Sequence, residues 1–202
     1  YQNLYYSAML RLPRDMPKAQ KLRIIDDVLL VLELDHLIDQ RVGNADARGI
    51  SGGQKKRVNI GMELVAYPRV LFLDEPTSGL DSTASTKVCQ CLKRLTSLGI
   101  TVICVIHQPR YSIFRSFDNL LLLGKGGQTV YHGSTAGVDD YFKSLGFVRN
   151  HGENIADWFI DITSGYGVRY ANGQANPGNA ALEDYDDEDD DDDDEDQDGG
   201  GG

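Results

Sequence analysis

The chain has 202 residues, and several things are missing from it. No apolar run nears the roughly 20 residues that cross a bilayer as a helix. The best candidate, residues 28–34, is short, and Asp26, Asp27, Glu33 and Asp35 lie within it or beside it. No secretory signal pattern appears at the start, which is Tyr1 rather than Met. Cysteine is scarce: Cys89, Cys91 and Cys104 are the 3 present, at no metal-ligand spacing. A cysteine zinc site and a disulfide framework are thereby excluded. Cys89 and Cys91 stand two apart on a helical stretch and so point to different faces. All three read as buried, reduced thiols of a cytosolic domain. Also absent is any G-x-x-x-x-G-K-[ST] loop, one self-contained way of cradling phosphates.

An excess of basic charge is lacking too, although the net charge of −11 misleads. Of the 31 acidic residues, 14 fall in residues 183–198, which leaves 17 against 20 Lys and Arg. The body is mildly basic and the acidity is local, so charge indicates no nucleic-acid partner.

What is present is a 41% apolar chain with α/β punctuation. Residues 18–38 carry Leu22, Ile25, Leu29 and Leu32 at helical spacing. A second helix is expected over 51–66, stopped by Tyr67-Pro68. The runs VLFLD (70–74) and TVICVI (101–106) are continuous and apolar, the pattern of parallel strands buried on both faces. A helix over 82–98, closed by Gly99, makes them one right-handed βαβ unit. Strands are expected near 119–123 and 128–131, and helices near 135–145 and 154–162. From 164 onward a Gly- and Asn-rich stretch leads into the acidic run, a composition expected to be disordered.

Three segments carry chemistry. In ISGGQKKRVNIG (50–61), Ser51 and Gln54 are spaced as a capping box. Gly52 and Gly53 let a ligand or a second backbone approach the exposed N–H groups, where the helix dipole favours an anion. In VLFLDEPTSGLDS (70–82), a strand ends in Asp74 and Glu75, at the sheet edge where α/β proteins bind ligands. Asp74 is placed to hold a divalent cation, often through water, and Glu75 to orient or deprotonate an attacking water. The plainer alternative is a polar turn with Asp81 or Ser82 as a helix cap. In VIHQPR (105–110), His107 directly follows the second strand, on the same edge as the acidic pair.

These segments, in this order, resemble the nucleotide-binding domain of ATP-binding-cassette (ABC) proteins. ISGGQKKR matches that family's signature motif, VLFLDEP its Walker B strand, SGLDS its D-loop and His107 its switch histidine. The run from Gly49 through Ser82, then HQPR, YFKSLGF and ENIADWFIDI, resembles the G (White-like) subfamily of half-transporters. The resemblance spans about residues 1–163. It implies a partial P-loop NTPase-type α/β fold, with a helical signature region over 1–67 and a sheet half over 68–163, followed by a tail over 164–202. It implies ATP and Mg²⁺ as cofactors, with Asp74 at the metal and Glu75 and His107 catalytic. Ser51, Gly52, Gly53 and Gln54 would touch the γ-phosphate of an ATP held by a second nucleotide-binding domain, and Asp81 would link the two sites.

The family's phosphate loop, glutamine loop and adenine-stacking aromatic have no counterpart in the chain. The resemblance therefore describes the C-terminal portion of the domain, inactive by itself. In the G subfamily a transmembrane domain follows, so the expected location is the cytosolic side of a membrane. Two other readings stand beside this one. The first is a soluble ABC ATPase with no membrane domain, against which ENIADWFIDI argues. The second is a non-catalytic interaction protein whose acidic run binds basic partners or cations.

Overall fold

A computed structural model describes residues 1–43, 48–149, 154–163, 169–171 and 174–176. Helix α1 (Gln2–Arg11) opens the chain, where the sequence suggests only an aromatic-rich segment. It buries Leu4 and Ala8, one turn apart, and Pro13 ends it by restricting Leu12 to extended backbone.

Helix α2 (Lys18–Val31) is shorter than its periodicity suggests, because the chain turns at Leu32 and Glu33. A 3₁₀ turn over Asp35–Leu37 replaces the expected last helical turns. Helix α3 (Gly52–Leu64) follows, then strand β1 (Val70–Asp74), helix α4 (Ser82–Ser97) and strand β2 (Thr101–Val105). The later elements are α5 (Tyr111–Phe114), β3 (Asn119–Leu123), β4 (Thr129–Ser134), α6 (Val138–Ser144) and α7 (Ile155–Thr163). Short strands β5 (Arg169–Ala171) and β6 (Gln174–Asn176) pair antiparallel. They are the described part of the tail expected to be disordered. The acidic run at 183–198 lies outside the described residues.

Strands β1 and β2 pair in parallel, Val70 opposite Thr101 through Asp74 opposite Val105, as the βαβ reading requires. Strands β3 and β4 form an antiparallel hairpin with a register shift at Leu122 and Leu123. One expectation is corrected. The parallel strands are not buried on both faces: burial alternates, and Phe72 is 74% exposed, with Val70, Ile103 and Val105 exposed beside it. The other face packs on α4.

Among the described residues, two apolar cores form. The first joins Leu4, Ala8, Ile25, Leu32, Leu64 and Val65 of the helical region to Leu71, Val88, Leu92 and Leu95. It therefore joins the helical region to the β1–α4 part of the sheet half. The second packs Phe114, Phe142, Phe147, Trp158 and Phe159 under β3 and β4. Phe142 stacks on Phe159 at 5.2 Å and meets Trp158 edge-on.

Candidate functional site

The parallel register of β1 and β2 brings their carboxyl ends level. Glu75 extends the ladder by donating its N–H to Val105 O at 3.0 Å. His107, two residues past β2, then places Nε2 3.6 Å from Glu75 Oε1. The imidazole is 78% exposed and the carboxylate 42%, so both face an open edge. Asp74, the last residue of β1, is exposed there as well. Glu75 and Gln108 both take the left-handed conformation, with φ of 42° and 41°. Non-glycine residues hold that conformation only where their surroundings impose it, and such strain clusters at functional sites.

A second group of predicted residues sits at the start of α3. Ser51 Oγ accepts the Gln54 N–H at 3.3 Å, and Ser51 N–H donates to Gln54 Oε1 at 2.8 Å, completing the capping box. Ser51 and Gly52 are exposed, whereas Gly53 is buried. A Cβ on Gly53 would lie 2.8 Å from Ala84 Cβ, and one on Gly52 would lie 3.4 Å from Leu80 Cδ2. At Gly53, then, the close approach is made by α4 of the same chain. Gly52 leaves the helix start open to solvent.

Asp81 caps α4, its Oδ1 accepting the N–H groups of Thr83 and Ala84 at 2.9 Å each. The plainer reading of Asp81 as a helix cap is realised. Among the described residues no hydrogen bond or ion pair joins Ser51–Gln54 to Glu75 or His107. Gly52 and Gly53 lie instead against Leu80 and Ala84, between β1 and the first turn of α4.

Beside His107 lies a small cleft of about 250 Å³, lined by Thr77, Leu80, Ser85, His107 and Arg110 among others. Thr77, Ser85 and Arg110 carry no separate signal in the sequence, since one polar residue in a turn or a helix looks like any other. Also missed were Glu33, Arg57 and Arg94, which tie α2, α3 and α4 together. Their meeting depends on a turn that the helical periodicity hides.

The donor set can be tested against the implied cofactors. A magnesium ion needs only one or two carboxylates when phosphate and water supply the remaining oxygens, and a lone exposed carboxylate at a strand end fits that need. Among the described residues no three His, Cys, Asp or Glu converge as an all-protein metal cage. An exposed, capped helix start beginning with glycine fits a phosphate oxygen.

Comparison with known proteins points to ABC transporters. Residues 3–78 match the family model described as ABC transporter, and residues 107–180 match one described as ABC-2 type transporter. The chain is 48% identical over 164 residues to ABC transporter G family member 28 of Arabidopsis thaliana, covering 81% of this chain and 15% of that protein. It is 46% identical over 164 residues to the broad substrate specificity ATP-binding cassette transporter ABCG2 of Rattus norvegicus, covering 81% of this chain and 25% of that one. The chain thus spans a quarter or less of the length of these curated relatives. Among solved structures it resembles cbiO1 of Clostridium perfringens, part of the ABC transporter complex cbiONQ. That match has a TM-score of 0.56 at 27% identity and covers 70% of this chain and 55% of the other. An ATP-binding cassette of an ABC transporter in its ADP conformation matches with a TM-score of 0.51 at 26% identity, covering 66% of this chain and 50% of the other. The α/β fold is that of part of an ABC ATPase domain.

Proposed function

We propose that this chain, a homologue of the G-family ABC transporters, supplies the signature and water-activating half of an ATP-hydrolysing site that drives transport across a membrane. The observation that carries the reading is the pairing of Glu75 with His107 at the carboxyl ends of two parallel strands.

In this reading Glu75 accepts a proton from the attacking water. Its backbone is held in the β1–β2 ladder, and its carboxylate faces the His107 imidazole at 3.6 Å. His107 donates a hydrogen bond to the terminal phosphoryl group. A magnesium ion, when bound, would neutralise developing phosphate charge, and Asp74 is the residue that would hold it. Ser51, Gly52, Gly53 and Gln54 present the positive end of α3 to the γ-phosphate of a nucleotide bound by a second nucleotide-binding domain. Asp81, at the turn on which Gly52 packs, connects the two sites. The partner is a second such domain, the motion is coupled to a transmembrane domain, and the site works on the cytosolic face. The matched relatives are named as transporters, which supports this reading over a soluble ABC ATPase.

The test uses the full-length encoded protein. Glu75→Gln keeps the size of the side chain and removes its basicity. ATP hydrolysis should fall roughly 10²-fold or more, the scale of a positioned base, while ATP-dependent association of the nucleotide-binding domains persists. Ser51→Arg should abolish that association, because it sets a bulky cation at the helix start. Hydrolysis by Glu75→Gln at the wild-type rate, or association of Ser51→Arg as stable as that of Glu75→Gln, would refute the proposal.

A further inference from the structure

Among the described residues, three helices end in the same hydrogen-bonded turn. After α4, Gly99 N–H donates to Thr96 O at 3.0 Å and Ile100 N–H to Leu95 O at 3.2 Å. After α6, Gly146 N–H donates to Lys143 O at 2.9 Å and Phe147 N–H to Phe142 O at 3.0 Å. After α2, Glu33 N–H donates to Leu30 O at 3.1 Å and Leu34 N–H to Leu29 O at 2.8 Å. This turn requires a left-handed residue just past the helix, a position that favours glycine. Gly99 and Gly146 fill it with φ of 87° each, whereas Glu33 fills it at 53°. The chain accepts a strained glutamate where it twice uses glycine.

The glutamate side chain is engaged on both oxygens. Arg94 of α4 donates from Nη1 to Glu33 Oε1 at 2.5 Å. Arg57 of α3 brings Nη1 to 3.7 Å from Glu33 Oε2 and donates from the same atom to Leu32 O at 2.7 Å. Arg57 is only 6% exposed. A buried guanidinium is costly unless a carboxylate and acceptors face it. Among the described residues the carboxylate that faces it is Glu33. One carboxylate at the end of α2 therefore holds a buried cation of α3 and an exposed cation of α4.

We propose that Glu33 is a positioning residue that fixes the angle between α3 and α4. Its purpose rests on the function proposed above. Ser51–Gln54 forms the cap and first turn of α3 and Asp81 caps α4, so the bridge holds the signature segment and the D-loop turn as one rigid edge. An exposed ion pair by itself would do little. Here the strained backbone and the buried Arg57 mark the bridge as more than a surface pair.

The test separates the turn from the bridge. Nitroxide labels at Asn59→Cys on α3 and Gln90→Cys on α4, both exposed positions, report the inter-helix distance distribution in the 202-residue chain with Cys104→Ser. Wild-type Glu33 should give one narrow distribution. Glu33→Gly relieves the backbone and deletes the carboxylate. Relief of the turn favours it and the buried Arg57 left without a carboxylate disfavours it, so it should melt at or below wild type and lose the narrow distribution. Arg94→Gln, on an exposed face, should lose it as well. A narrow distribution in either variant overturns the proposal. A plain turn role predicts that outcome for Glu33→Gly. No nucleotide enters the measurement, so a negative result removes the bridge and leaves the phosphate-site reading to its own test, and the converse holds.

Discussion

Gly53→Ala tests whether the signature helix is seated by contact with α4 or merely capped by Ser51. The new Cβ would meet Ala84 Cβ at 2.8 Å, well inside van der Waals contact. Ala84 has no flexible end to move, and it is held in the first turn of α4 by the Asp81 cap. One helix must shift, an overpacking cost of about 1–3 kcal/mol. Replacing a helical glycine by alanine returns roughly 0.5–1 kcal/mol. The net loss is about 1 kcal/mol, or roughly 2–4 °C in a chain of this size. Gly52→Ala is the matched control. Its Cβ would stand 3.4 Å from Leu80 Cδ2, an ordinary contact, so only the gain applies and the melting temperature should hold or rise. Thermal melts followed by circular dichroism measure both. Adding Ala84→Gly to Gly53→Ala should recover part of the loss, with a coupling of about 1 kcal/mol. If Gly53→Ala melts at or above Gly52→Ala, or the pair shows no coupling, the seating argument is wrong.

Three further outcomes follow from the same contacts. Asp81→Ala removes the acceptor for two N–H groups of α4 and should cost about 1 kcal/mol, while Asp81→Asn keeps most of the cap; melts of the two variants should differ in that order. Burial pushes the Cys89 thiol up to about 11, with Cys104 adding to the shift, so at pH 8 a thiol reagent should modify Cys89 far more slowly in the folded chain than in denaturant, as read by mass spectrometry. The Arg94 hydrogen bond holds the Glu33 carboxyl below its ordinary value of 4.5, with the Arg94, Arg57 and Lys87 charges helping against some desolvation. A carboxyl lowered by folding stabilises fully above its unfolded range and loses that contribution as pH falls through the folded value. The melting difference between wild type and Glu33→Gln should therefore be present at pH 7 and close below about pH 4.5; Glu33 is 43% exposed, so the difference is small. A difference that does not vary with pH would show that the ion pair is not its source.

Much of the site was legible because its signals are local. The Ser51–Gln54 box depends on a three-residue spacing and forms as written. The meeting of Glu75 and His107 needs only two parallel strands in register, and the apolar runs before each residue supply them. What was hidden depends on tertiary contacts. Helix α1 shows no clear period because apolar residues fall all round it: Leu4 and Ala8 are buried and Tyr5 packs beside them, while Tyr6 and Leu10 stay exposed. Periodicity carried α2 past its end because Leu34 and Leu37 are also buried, although they reach the core from a turn and not from the helix. The spacing of apolar residues reports which side chains are buried, not which backbone carries them there.

The exposed side of β1 and β2 makes the same point in the other direction. Phe72, Ile103 and Val105 are apolar, as a strand covered on both faces demands, yet they lie open. Alternation is the expected pattern for a strand with one wet face, and a continuous apolar run is the pattern for a parallel sheet sandwiched between layers. The sequence follows the second pattern and the described residues provide the first environment. Leu71 and the inner face satisfy the core that α4 supplies, so the outer side chains contribute nothing to the contacts seen. Replacing Phe72 by Thr, which keeps strand propensity and removes the exposed ring, should therefore leave the stability of the 202-residue chain within about the ±0.5 kcal/mol typical of surface changes, or roughly 1–2 °C in melting temperature. A loss of several degrees in a thermal melt would show that the outer face is already packed in solution.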